Sequence, residues 1–301
     1  MSRIHEALKK AESERGAAQS MDVAAPLAAV ESVNHNGRPA PSKEVLTQVS
    51  TGTVVLGAEL QFEDVLAHCA HPRWNPEPRM NLFLNSSKHV HSTEQLRTLR
   101  SRLYQFRSQE RLRIILVTSA IPGEGKTFVA GNLAQAIVRQ HERRTLLVDA
   151  DLRCPRQHLA LGAPLMPGLS HYLSGDADEM AVIQHGQEGN LCFVPGGQTV
   201  ANPTELLSTG RLKTLLERVA PAFDWVLVDS PPCLPVADAR LLADVCDGIV
   251  LVVKAGSTPL ELVQKAQQTF QGKKILGVVL NGVEEDGLGY RSYYRAYSVT
   301  S

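Results

Sequence analysis

The stretch Arg113–Ile137, RIILVTSAIPGEGKTFVAGNLAQAI, decides the fold. It opens on a run of aliphatic and β-branched residues, turns through Gly123 and Gly125, and continues in a helical pattern from Lys126–Thr127. Buried strand, glycine-bearing turn and helix, in that order, are the setting a phosphate-binding loop requires, and the loop is Ala120–Thr127, AIPGEGKT. The two glycines let backbone N–H groups converge on phosphate, and the helix N-terminus adds a positive partial charge of roughly half a unit. Pro122, Gly123, Glu124, Gly125, Lys126, Thr127 and Phe128 are therefore the candidate nucleotide-binding residues. Lys126 is placed to neutralise the β- and γ-phosphates and the Thr127 hydroxyl to ligate Mg²⁺, so ATP and Mg²⁺ are the expected cofactors. An ordinary glycine turn would not combine the GKT ending with this strand–helix setting.

Outward from this stretch, strand and helix alternate. Short apolar runs occur at Arg113–Thr118, Thr145–Val148, Leu191–Val194, Trp225–Val228, Gly248–Val253 and Ile275–Leu280. Helical patterns lie between them near Thr127–Gln140, Arg211–Ala220, Ala237–Val245 and Pro259–Phe270. Continuously apolar strands separated by helices predict a doubly wound α/β fold, a mainly parallel sheet covered on both faces. Two of the strands end in carboxylates. LLVDADLR (Leu146–Arg153) places Asp149 and Asp151 at the crevice where ligands bind in such sheets, and WVLVDSPP (Trp225–Pro232) ends on Asp229 before two prolines turn the chain away. Acids in these places suit metal and proton work.

The flanks read differently. Residues 2–15 carry Ile4, Ala7, Leu8 and Ala11 at helical spacing behind Ser2, predicting an amphipathic helix over 1–15 that docks on a partner or on the protein's own core. Residues 16–55 have the Ala, Ser, Asn, Gly and Pro composition of a disordered linker, and 56–92 form a connecting segment. In that segment His68, Cys69 and His71 lie close together, but no second ligand pair follows to make a metal site. A helix at Thr93–Arg107 presents Leu96, Leu99, Leu103 and Tyr104 on one face and Glu94, Arg97 and Arg100 as neighbours on another. After a core domain expected over 93–286, residues 287–301 hold Tyr290, Tyr293, Tyr294 and Tyr297 among Gly, Ser and Arg, a set of acceptor hydroxyls. Beside a triphosphate site they suggest a kinase that modifies its own tail.

Composition limits the alternatives. The chain has 301 residues, 43% of them apolar, with 31 basic and 31 acidic side chains, so its overall charge points neither to nucleic acid nor to an acidic partner. The five cysteines, Cys69, Cys154, Cys192, Cys233 and Cys246, lack CxxC spacing and read as reduced, buried thiols of a cytosolic protein. The apolar run Ile249–Val253 is too short to cross a membrane, and MSRIHEALKKAE is too charged for a signal peptide.

From about Thr93 to the C-terminus the residues resemble the bacterial tyrosine autokinases that regulate capsule and exopolysaccharide synthesis and export. AIPGEGKT, LLVDADLR and WVLVDSPP are similar to that family's Walker A, Walker A′ and Walker B motifs in order and spacing, on a P-loop NTPase core. The N-terminal MSRIHEALKKAE resembles the free-standing cytoplasmic members encoded apart from their membrane partner. The resemblance implies that Lys126 and Thr127 bind phosphate and Mg²⁺, that Asp151 and Asp229 complete the metal shell, and that Asp149 is the catalytic base. It implies that Asn281, in VVLNGV, contacts adenine, and that Arg153 steadies phosphate or a neighbouring chain unless it makes a structural ion pair. EQLRTLR (Glu94–Arg100) matches the ExxRxxR pattern through which family members form rings, so that Tyr290, Tyr293, Tyr294 and Tyr297 would be phosphorylated in a neighbour's site. The implied partners are a second copy of the chain, a membrane activator that regulates polysaccharide chain length, and a tyrosine phosphatase, with recruitment to the inner face of the plasma membrane. Two competing readings are a partitioning or septum-positioning ATPase, whose extra early-loop lysine is replaced here by Ile121, and a nucleotide-binding scaffold of a secretion complex.

Overall fold

Aliphatic side chains alternate between two packing surfaces along every central strand, which is why these strands lie inside a three-layer molecule. The computed structural model describes residues 60–87, 89–186 and 189–283. The expected N-terminal helix, the linker and the tyrosine tail lie outside the described residues.

The elements run α1 (Phe62–His68), α2 (Val90–Gln109), β1 (Ile114–Ser119), α3 (Lys126–Val138), β2 (Thr145–Asp149), α4 (Gln157–Leu161) and α5 (Leu169–Ser174). They continue with β3 (Gln184–His185), β4 (Leu191–Val194), α6 (Pro203–Ser208), α7 (Arg211–Val219), a 3₁₀ turn (Ala220–Ala222) and β5 (Trp225–Asp229). The last are α8 (Asp238–Ala243), β6 (Gly248–Lys254), α9 (Leu260–Thr269) and β7 (Ile275–Asn281). The sheet order is β3-β4-β2-β5-β1-β6-β7, parallel throughout except for β3, which runs antiparallel to β4 at the edge. This is the doubly wound arrangement anticipated from the sequence.

Leu116, Leu146, Val148, Val226, Val228 and Leu251 face one side of the sheet, against Phe62 of α1, Leu173 of α5, Leu216 of α7 and Leu242 of α8. Their sequence neighbours Ile115, Val117, Leu147, Leu227 and Val250 face the other side, against Leu133 of α3 and Leu103 of α2. Helix α3 is buried over nearly its whole length, as its alanine-rich, apolar composition requires. Helix α2 covers it and begins at Val90, three residues before the expected Thr93. Asn132 of α3 accepts from Leu82 N–H at 2.8 Å and donates to the Met80 carbonyl at 2.8 Å, tying the segment after α1 to the core.

Outside the site one expectation changes, the burial of Cys154. His68 and His71 each hydrogen-bond a carbonyl, of Asp64 and Leu66 respectively, both at 2.8 Å. Among the described residues no group of three His, Cys, Asp or Glu side chains is set to hold a metal. Cys69, Cys192 and Cys233 are buried as expected, whereas Cys154 is exposed, because it sits in the loop that leaves β2 at the open end of the sheet.

Candidate nucleotide and phosphoryl-transfer site

The glycine turn after β1 delivers the chain to α3 with φ of 84° at Gly123 and 92° at Gly125, a left-handed backbone that a side chain would strain. A Cβ on Gly125 would also lie 2.0 Å from the Asn281 amide nitrogen. No side chain caps the start of α3. Its first N–H groups therefore remain for an anion, which is the geometry of a phosphate site.

Glu124 has another use for its side chain. It is buried, accepting from Ile121 N–H at 2.7 Å through one oxygen and from the Thr258 hydroxyl at 2.6 Å and Lys254 N–H at 3.3 Å through the other. Asn281 donates to the Glu124 carbonyl at 2.9 Å. The loop is thus tethered to β6, the start of α9 and the end of β7, and only main-chain groups of Glu124 are left for a nucleotide. Asn281, implied to touch adenine, here supports the loop from below Gly125.

Parallel pairing of β2 with β5 puts Asp149 and Asp229 side by side in register. Lys126 at the head of α3 meets these strand ends. Its ammonium donates to Asp151 Oδ2 at 2.8 Å, lies 3.9 Å from Asp229 Oδ1 and is 3.3 Å from the Thr127 hydroxyl. Burial works to lower the Lys126 pKa, but the charges of Asp229 and Asp151 outweigh it and the pKa is raised. Burial pushes the Asp229 carboxyl up to about 6, with Lys126 and the Thr127 hydroxyl pulling the other way. Asp149 is held well above the ordinary carboxylate range, first by burial and then by the charge of Asp229. Its oxygens accept the N–H groups of Asp151, Arg156 and Gln157 at 3.0–3.2 Å, so it also shapes the loop after β2.

Asp229 Oδ1 is buried with no hydrogen-bond partner. Together with Thr127 and the Asp151 carboxylate it is an oxygen-only donor set of the kind Mg²⁺ takes alongside phosphate oxygens, so these residues fit the ion. Arg153 forms a bidentate pair with buried Asp238 at 2.7 and 3.1 Å and donates to Thr204 at 2.9 Å, which is the structural ion pair left open by the sequence. Glu94 and Arg97 pair with each other on the exposed face of α2, while Arg100 donates to the Ala136 carbonyl at the end of α3 at 2.6 Å.

One residue of the site escapes a sequence reading. Gln157, at the start of α4, donates to the Thr127 carbonyl at 2.9 Å and to Asp229 Oδ2 at 3.3 Å, linking the phosphate loop to the Walker B carboxylate. A glutamine after an irregular loop carries no motif, and only the folded distance reveals it.

Fold and site together define a P-loop nucleotide-binding protein, and residues 112–274 match the family model described as an AAA domain. The tyrosine-protein kinase YwqD of Bacillus subtilis (strain 168) is 37% identical over 206 residues, which cover 67% of this chain and 86% of the relative. The tyrosine-protein kinase Etk of Escherichia coli (strain K12) is 34% identical over 221 residues, 68% of this chain but 30% of that longer protein. The solved kinase domain of Escherichia coli ETK superposes with a TM-score of 0.61 at 36% identity, covering 64% of this chain and 76% of the domain. The chain belongs to the bacterial tyrosine-kinase family. Septum site-determining protein MinD of Pyrococcus horikoshii, complexed with Mg-ADP, is more distant at a TM-score of 0.51 and 26% identity, over 61% of this chain and 76% of that one.

Proposed function

We propose that this protein is an ATP-dependent protein-tyrosine kinase whose main substrate is the tyrosine tail of a neighbouring copy. The observation that carries the reading is Lys126 held between Asp151 and Asp229 at the head of an uncapped helix, at the end of the sheet where three strand-end carboxylates meet. When ATP enters, its phosphates take the N–H groups at the start of α3, and Lys126 exchanges its ion pair with Asp151 for the β- and γ-phosphates. Mg²⁺ bound through Thr127, Asp151 and Asp229 would supply positive charge across the same phosphates. A tail tyrosine oxygen then bonds the γ-phosphorus, the bond from that phosphorus to the β,γ-bridging oxygen breaks, and ADP leaves. The phenol proton goes to Asp149, whose burial and neighbouring Asp229 charge favour its protonated form. Positioning outweighs proton removal in such a loose transition state.

In this reading Glu94, Arg97 and Arg100 bring copies together so that Tyr290, Tyr293, Tyr294 and Tyr297 of one reach the next. Each phosphate adds about −1.5 to −2 charges to a segment whose own charges at 291 and 295 are arginines, and the repulsion from the acidic site then favours release. Cycles of modification would gate capsule or exopolysaccharide synthesis and export. No described helix is long and apolar enough to cross a membrane, so a separate membrane activator would recruit the kinase to the inner face of the plasma membrane, and a phosphatase would reset it.

Intact and peptide mass spectrometry after incubation with ATP and Mg²⁺, with and without the activator, tests this against Lys126→Ala. Phosphate on Tyr290–Tyr297 that vanishes in the variant is expected. An unmodified tail despite ATP binding would instead favour the ATPase switch that the likeness to MinD suggests, or a scaffold.

A further inference from the structure

A second polar site lies at the opposite end of the sheet, where β1, β2 and β5 begin. It is a cleft of about 800 Å³ into which four arginines converge: Arg107 from the end of α2, Arg113 before β1, and Arg143 and Arg144 from the turn before β2. Three of the guanidiniums lie over aromatic rings, Arg107 over Trp225 at 5.1 Å, Arg143 over Tyr104 at 5.3 Å and Arg144 over Phe62 at 4.8 Å. Such stacking fixes planar forks in advance and removes the ordering cost a ligand would otherwise meet.

Carboxylates do not match this charge one for one. Arg107 and Arg143 share Asp224, at 3.9 and 3.0 Å, and Arg144 pairs with Glu63 at 2.8 Å. Arg113 directs its guanidinium to the Ala220 carbonyl at 3.1 Å. Glu142 at the rim is largely exposed and lies 3.6 Å from His141. Burial pulls the Arg107 pKa down, Asp224 opposes it, and Arg113 and Arg143 add smaller pulls in the same direction as burial.

Leu66 and Pro221 add apolar surface beside His141 and Asn190, while Phe62 and Phe223 lie buried beneath the arginines. Guanidinium forks match the oxygens of a phosphate dianion, and adjoining apolar surface suits the ring that carries it. The recess admits a side chain; a flat membrane surface would meet only its rim. We propose that this cleft binds phosphotyrosine, its occupant being the phosphorylated form of the protein's own tail, residues 290–297. This rests on the functional reading above for the origin of the phosphotyrosine. The unmodified tail brings Arg291 and Arg295 and is repelled, so the cleft distinguishes product from substrate. An extended chain spans roughly 30 Å from Asn281 to Tyr290 and roughly 40 Å to Tyr293, against roughly 27 Å for a seven-residue strand combined with the three strand spacings from β7 to β5, so Tyr293 and Tyr294 have the reach. The modified tail is thereby held at the end of the sheet away from the phosphate loop.

The test titrates the full, dephosphorylated protein without ATP by fluorescence anisotropy, using a synthetic peptide of residues 286–301 either carrying phosphate on Tyr293 and Tyr294 or unmodified. The phosphopeptide should bind at least about tenfold tighter, and Arg143→Gln should erase that difference. Glu63→Gln, which releases Arg144 from its partner, should tighten binding severalfold, so the idea stays testable even if Arg143→Gln fails to fold. Equal binding of the two peptides would overturn the proposal. So would a preference unmoved by both substitutions, or Arg143-dependent binding of phosphatidylglycerol vesicles but not of phosphopeptide. Because the phosphate is installed synthetically, a tail that the protein never modifies would refute the kinase reading without touching this result.

Discussion

Replacing Asp229 by Asn should stabilise the protein while abolishing its catalysis. Asp229 is wholly buried, and its carboxyl rises from 3.8 to about 6 in the folded state. The folded state therefore holds this proton more tightly than the unfolded chain does. The stability contributed by the protonated form is full below about pH 4 and is lost as pH rises through about 6. A shift of about two units at 1.36 kcal/mol per unit makes ionised Asp229 a cost of about 3 kcal/mol at pH 7.5. Asn keeps the shape without the charge, and Lys126 retains Asp151 at 2.8 Å as a counter-ion. For a domain of this size about 3 kcal/mol corresponds to a rise of roughly 6–12 °C in melting temperature. The gain should halve by about pH 5 and vanish near pH 4, as the wild-type carboxyl protonates. Differential scanning calorimetry of the nucleotide-free protein and the variant across this range decides the matter. A variant that melts lower at pH 7.5, or a gain that ignores pH, would show that Asp229 is not the strained charge described here.

Gly125→Ala should lower nucleotide affinity about 10–100-fold in a fluorescent-nucleotide titration, since the left-handed backbone strains any side chain and the new Cβ displaces Asn281. Glu124→Gln removes the charged acceptor shared by Thr258 and two backbone N–H groups and should destabilise the protein by about 1–3 kcal/mol in urea unfolding, with weaker ATP binding alongside. Arg97→Ala and Arg100→Ala should both reduce association in analytical ultracentrifugation if the ExxRxxR face joins copies. Only Arg100→Ala should also melt lower, by about 1 kcal/mol, because it alone caps a carbonyl at the end of α3.

The central strands were legible because parallel strands buried on both faces read as continuous aliphatic runs, and Leu191–Val194 falls where the sequence placed it. The P-loop was legible because its chemistry is local: Gly123, Gly125, Lys126 and Thr127 are adjacent in the chain. Helices α4, α5 and α6, of five or six residues each, are too short to display a 3.6-residue period, and β3 has two residues. The orientation of Glu124 was hidden for another reason. Its partner Thr258 lies 134 residues away, so nothing in AIPGEGKT tells an inward carboxylate from one offered to a ligand. Arg153 was ambiguous on the same ground until Asp238, 85 residues on, supplied its fork with a buried partner.

The arrangement also explains why a loop built from glycines can hold its shape. Gly123 and Gly125 permit the turn but do not enforce it. Enforcement comes from the loop's own Glu124, anchored on Lys254 and Thr258, and from two side chains from distant parts of the chain, Asn281 at the end of β7 and Gln157 beside Thr127. Each binds main-chain groups of residues 121–127, leaving the N–H groups at the head of α3 and the Lys126 ammonium for an incoming anion. The same loop is coupled to charge: Gln157 touches both the Thr127 carbonyl and Asp229, so a change in the ionisation of Asp229 is passed through one side chain to Thr127. Positioning and electrostatics at this site are therefore one network, and substitutions at Gln157 should disturb nucleotide affinity and the pH dependence of stability together.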